Sequence, residues 1–104
     1  MNSSLQQLRQ HGIEIRHYIP GRLRFNIRAL HNNGGLGGQI ASHLGQVPGV
    51  TKVEYHPAST SVLVLFNPSQ LALPANSDQL LIALQQLFPA VAIDVWRGLW
   101  SGKI

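Results

Sequence analysis

Residues Ile13 to Ala29 (IEIRHYIPGRLRFNIRA) alternate with a period of two, and this run constrains the fold more than any other. Its odd positions read Ile13, Ile15, His17, Ile19, Gly21, Leu23, Phe25, Ile27 and Ala29. Its even positions read Glu14, Arg16, Tyr18, Pro20, Arg22, Arg24, Asn26 and Arg28. Side chains of a strand point alternately to its two faces, so the pattern predicts one apolar face and one cationic face. A continuous strand of this length would span more than about 50 Å, two to three times the usual. A break is expected at Pro20-Gly21, where proline lacks a ladder donor and glycine permits a bend or bulge. With the alternation carried through that break, Arg16, Arg22, Arg24 and Arg28 share a face with Tyr18. They are half of the eight lysines and arginines in the chain.

At 104 residues the chain is sized for one domain with a modest core. A formal charge of +4 favours an anionic partner or simply confers solubility. The sequence contains no cysteine, which excludes a disulfide framework and a thiolate metal site. No apolar run approaches the roughly 18 residues of a membrane span, and the N-terminus lacks a signal-peptide core. The expected setting is cytoplasmic, with a peripheral membrane contact as the variant.

Met1 to Gly12 is polar and is expected to be a flexible arm. After the long strand, His31 to Gly38 is dense in turn residues. Leu36, Ile40, Leu44 and Val47 then recur at helical spacing, and Pro48-Gly49 ends that helix. Val50 to His56 reads as a short strand with Lys52 and Glu54 facing away from Val53 and Tyr55. A hairpin connection leads to Ser61–Asn67, apolar on both faces and so an interior strand. Asn76 or Ser77 can cap a second helix over Asp78 to Phe88. Val91, Ile93 and Val95 alternate as a last strand. The order β-α-β-β-α-β predicts an α+β, ferredoxin-like sandwich with a four-stranded antiparallel sheet and two helices on one face. The boundaries are then an arm over 1–12, the domain over 13–95 and a tryptophan-containing tail over 96–104.

His17-Tyr18-Ile19-Pro20-Gly21-Arg22-Leu23-Arg24-Phe25, then Val47-Pro48-Gly49-Val50, then His56-Pro57-Ala58-Ser59-Thr60-Ser61-Val62-Leu63-Val64 resemble the heavy-metal-associated-like domains that lack paired cysteines. The similarity covers about Ile15 to Val95 and implies the same ferredoxin-like fold. Bacterial domains of this kind occur alone or at the N-termini of heavy-metal P-type ATPases. Related copper chaperones hold metal through Cys-x-x-Cys between the first strand and first helix. Those two positions fall near Asn32 and Gly35, neither of them a soft ligand for Cu(I).

Four features are candidate sites. The arginine face, Arg16, Arg22, Arg24 and Arg28 with Tyr18, suits an acidic protein partner; equally, the arginine stems cover an apolar sheet. A homodimer through the same open face is a further reading. Nucleic acid is disfavoured, because only Tyr18 shares the register and single-strand platforms stack bases on several aromatics. Asn33, Gly34 and Gly35 precede a helix, where free amides favour an anion. No cofactor is expected. The alternative is a transition metal or haem on His31 and His17, although the plain account of His17, on the apolar register, is burial. Trp96 and Trp100 suit a docking peptide or membrane-interface anchor, or else fold back onto the core. The carboxylates Glu14, Glu54, Asp78 and Asp94 fall on different elements and make no catalytic constellation. The expectation is a non-enzymatic interaction module of metal homeostasis docking to a protein, with a membrane transporter as one candidate.

Overall fold

Pro20 and Gly21 reverse the chain instead of bending it. A computed structural model describes residues 3–102, with side chains from 5 to 98. Strands β1 (Ile13–Ile19) and β2 (Arg22–Ile27) form an antiparallel hairpin in which Ile19 lies opposite Arg22. Proline holds φ near −65°, and Gly21 sits at φ +91°, the combination that a type II turn requires. The single long strand expected from the alternation is therefore two strands. The alternation survives within each arm but not across the whole run, because Ile15 pairs with Phe25 whereas His17 pairs with Arg24. Arg16 is the extra residue of a β-bulge, and every position after it on β1 changes face.

Strands β3 (Val50–His56) and β4 (Ser61–Phe66) complete one antiparallel sheet in the order β1-β2-β4-β3. The doubly apolar segment is central, as expected: β4 lies between β2 and β3. On one side lie α2 (Gly34–Gly45) and α4 (Pro74–Leu87), with a short α3 (Pro68–Leu71) between β4 and α4. Ile40, Leu44 and Val47 are buried at the spacing read from the sequence, and so are Leu80 and Leu81. Helix α4 begins earlier than the capping residues suggested. Pro74 opens it, a position where its missing N–H costs nothing, and Ser77 instead donates its hydroxyl to the Leu71 carbonyl at 2.7 Å.

The α+β, ferredoxin-like arrangement of four antiparallel strands holds, but its edge strand comes from the start of the chain. Val91, Ile93 and Val95, expected as the last strand, lead into α5 (Ile93–Gly102). A short apolar run fits either period, and here the helical one wins: Val91, Val95 and Trp96 are buried while Ala92 and Asp94 are exposed. Asp94 lies in the first turn of α5, where the helix dipole favours an anion. The expected flexible arm is likewise corrected. Helix α1 (Ser3–Gln10) packs on β1 and α5 with Leu8 fully buried.

Gly37, inside α2, is where helix and sheet meet most closely. A Cβ there would stand 2.2 Å from Cδ2 of Tyr55. A Cβ on Gly38 would meet nothing within 4 Å. Gly37→Ala should therefore lower stability by about 1–3 kcal/mol, the usual cost of overpacking. Gly38→Ala should raise it by up to about 1 kcal/mol through helix propensity. Urea unfolding of the two variants checks the pair, and equal effects would refute the close approach.

Candidate functional site

Residues directly opposed across a ladder share a face, so the register maps the side of the sheet away from the helices. One row runs Ile19, Arg22, Leu65, Lys52. The next runs His17, Arg24, Leu63, Glu54, and the last Glu14, Asn26, Ser61, His56. Leu63 and Leu65 are half-buried at the centre, and Ile19 is 48% exposed at the edge. Cationic side chains flank this apolar strip on both sides.

The carboxylates of this face are already engaged. Arg16 donates to Glu14 at 2.7 Å, and Arg9 of α1 approaches the same carboxylate at 3.7 Å. The Arg16 hydrogen bond holds the Glu14 carboxyl below the usual range, with the charges of Arg16 and Arg9 acting in the same direction. Lys52 lies 2.7 Å from Glu54; their hydrogen bond lowers the Glu54 pKa and raises that of Lys52. Arg22 comes within 3.4 Å of Nδ1 of His17. Among the described residues, neither Arg22 nor Arg24 has a carboxylate within 4.0 Å.

Arg16, Arg22 and Arg24 thus lie together, while Tyr18 and Arg28 do not join them. The bulge turns Tyr18 to the core side, where its ring stacks on Phe66 with centroids 6.4 Å apart. The same shift puts His17 on the open face, exposed rather than buried. Arg28 leaves the strand as the first residue of a 3₁₀ turn, Arg28–Leu30. Lys52 and the two leucines belong to the face as much as the arginines. Their signal was legible in the alternation around Val53 and in the apolarity of both faces of β4, but nothing linked them to β2 until the register was known.

The loop candidate is also altered. Gly34 and Gly35 are the first residues of α2, and Asn33 caps it, its Oδ1 accepting from the Leu36 amide at 3.0 Å. The side chain of Asn33 thereby takes up part of the anion-attracting pole. Trp96 is 5% exposed and lies against Phe88 with ring centroids 5.8 Å apart, so it is core and not a docking residue. The side chain of Trp100 lies outside the described residues. His31 is exposed beyond the end of β2, whereas His17 pairs across to Arg24 in mid-strand, so the two do not converge. Among the described residues no group of three His, Cys, Asp or Glu side chains could hold a metal ion, and no helix is long and apolar enough to cross a membrane.

Residues 5–84 match the family model for heavy metal associated domain 2. The chain belongs to this family. The match takes in the whole sheet and ends inside α4, before α5. No curated protein matches the chain. The metal in the family description does not fit the donors present. The sequence has no cysteine, and the loop ahead of α2 is His31, Asn32 and Asn33, one imidazole and two amides, which do not make a soft-ion site.

The burial of Trp96 gives a direct check. Trp96→Ala should cost about 3–5 kcal/mol of stability, as removal of a buried aromatic does. Denaturant unfolding measures it. A loss within the roughly 0.5 kcal/mol of surface substitutions would return Trp96 to the surface.

Proposed function

We propose that this heavy metal associated domain is a non-enzymatic docking module whose open sheet face binds an acidic protein surface. The observation that carries this reading is the pair Arg22 and Arg24, without carboxylate partners among the described residues and set beside Leu63 and Leu65. Guanidinium groups bind carboxylates bidentately, and an apolar centre within a polar rim is the usual anatomy of a protein interface. A single-stranded RNA platform fits less well. Tyr18, Phe25, Tyr55 and Phe66 all lie on the core register of their strands, which leaves no aromatic of the described sheet residues on the open face for stacking. The resemblance to transporter-associated domains makes a cytoplasmic acidic surface of a membrane transporter the first partner to test.

In affinity capture from native lysate, with the captured protein then purified for titration, binding should weaken as salt rises, since exposed charges are screened over about 8 Å at physiological ionic strength. Arg22→Glu with Arg24→Glu should abolish binding and leave the thermal midpoint within a few degrees. A large drop in the midpoint would assign these arginines to stability, and salt-independent binding would exclude the charged face. If the captured partner is a second copy of this chain, sedimentation will show a dimer that the double variant lacks.

A further inference from the structure

At the end of the sheet where β1 starts and β2 finishes, an open depression of about 560 Å³ gathers side chains from four segments. Arg9 comes from α1, Arg28 from the 3₁₀ turn, His31 from just beyond it, and Thr60 from the β3–β4 connection. We propose that this depression binds a phosphate group carried by a small molecule, at a site separate from the docking face.

Arg28 is the anchor. Its backbone N–H donates to the Gly12 carbonyl at 2.8 Å, and its side chain lies along the same residue. A Cβ on Gly12 would stand 3.0 Å from the Arg28 Cβ, 3.7 Å from its Nε and 3.8 Å from its Cζ. Gly12 is also at φ +77°, so both its conformation and this close approach call for glycine. The guanidinium is therefore laid down over the α1–β1 connection, and among the described residues no carboxylate lies within 4.0 Å of it. The one acid in the depression, Glu14, is held by Arg16 at 2.7 Å and by Arg9 at 3.7 Å.

Thr60 supplies a second observation. It stands at φ 58°, a left-handed conformation that a β-branched residue adopts only under constraint. Two bonds impose it: Ile27 N–H donates to the Thr60 carbonyl at 2.8 Å, and Asn26 Nδ2 donates to Thr60 Oγ1 at 3.1 Å. Because Oγ1 accepts from Asn26, the hydroxyl hydrogen remains available to donate outward. Two guanidinium groups, an imidazole and a fixed hydroxyl donor match the several acceptor oxygens and double charge of a phosphate monoester better than a single carboxylate. The depression is open to solvent, so a ligand reaches it without any rearrangement of the sheet.

Pyrophosphate, titrated into the 15N-labelled full chain at fixed ionic strength, tests the proposal. Amide shifts of Gly12, Asn26, Arg28, His31 and Thr60 should move together and saturate. Arg28→Gln should weaken binding by about tenfold or more, the loss of a charge-assisted hydrogen bond. Arg24→Gln, with the same change in net charge, should leave it within about twofold. Glu14→Gln should tighten binding by releasing Arg9, and Asp78→Asn, the same change in charge on α4, should not. Flotation with vesicles containing phosphatidic acid separates a lipid headgroup from a soluble ester as the source of the phosphate. Shifts that never saturate, or equal losses from Arg28→Gln and Arg24→Gln, would overturn the site.

Discussion

The antiparallel pairing of β1 with β2 decides what every other segment can do. Joined by only two residues, the strands meet with little loss of loop entropy. That pairing fills the position beside β2 opposite β4, so β2 becomes central and β1 takes the edge. A C-terminal strand then cannot take the place beside β2, and the chain after α4 follows its helical period. Helix α5 packs against α1 and α4 and carries Trp96 into the core with Ile15, Leu23 and Phe25. The fold thus keeps the sheet of a ferredoxin-like domain while taking its edge strand from the opposite end of the chain.

Much of this was legible in the sequence, and the failures have definite causes. The helical stripes of Ile40 and Leu44 and of Leu80 and Leu81 were read correctly, because several turns of one period leave little ambiguity. β4 was read as central because both of its faces are apolar. The hairpin was missed because Pro-Gly suits a type II turn, whereas two-residue hairpins favour the mirror-image turns signalled by Asn-Gly. The bulge at Arg16 has no signature in the alternation, yet it exchanges Tyr18 and His17 between faces. One inserted residue therefore moved the only aromatic of the arginine face into the core. Val91 and Val95 are compatible with both periods, and the place beside β2 that a last strand would take is held by β1.

The candidate site was legible in part. Arg22 and Arg24 stay on the open face because the extra residue lies on β1, while β2 keeps its own alternation and pairs one for one with β4. Arg28 fell outside because β2 ends at Ile27, and the chain tightens into a 3₁₀ turn that buries Leu30. The glycines near Asn33 looked like a loop but begin a helix. Low helix propensity was overridden there by the Asn33 cap and by Gly37, whose missing side chain lets α2 settle on Tyr55.

Charge placement explains why the central arginines are left without a carboxylate among the described residues. The chain has four acids against eight lysines and arginines, so at one acid per cation half of the cations go without an internal counter-ion. Among the described residues three of the four acids pair with cations on the periphery. Glu14 serves Arg9 and Arg16 at the edge strand β1, Glu54 serves Lys52 on the edge strand β3, and Asp94 approaches Arg97 on α5 at 3.5 Å. Such exposed pairs contribute little to stability. Their consequence is subtractive: they neutralise the margins and leave Arg22 and Arg24 as the uncompensated charge of the face. Those two stand on β2, paired on both sides and therefore among the least mobile backbone in the domain. A guanidinium on such a strand has less freedom to lose on binding than one on an edge or a loop. Rigidity and unspent charge coincide at the middle of the sheet, which is where a docking face would be expected to concentrate its affinity.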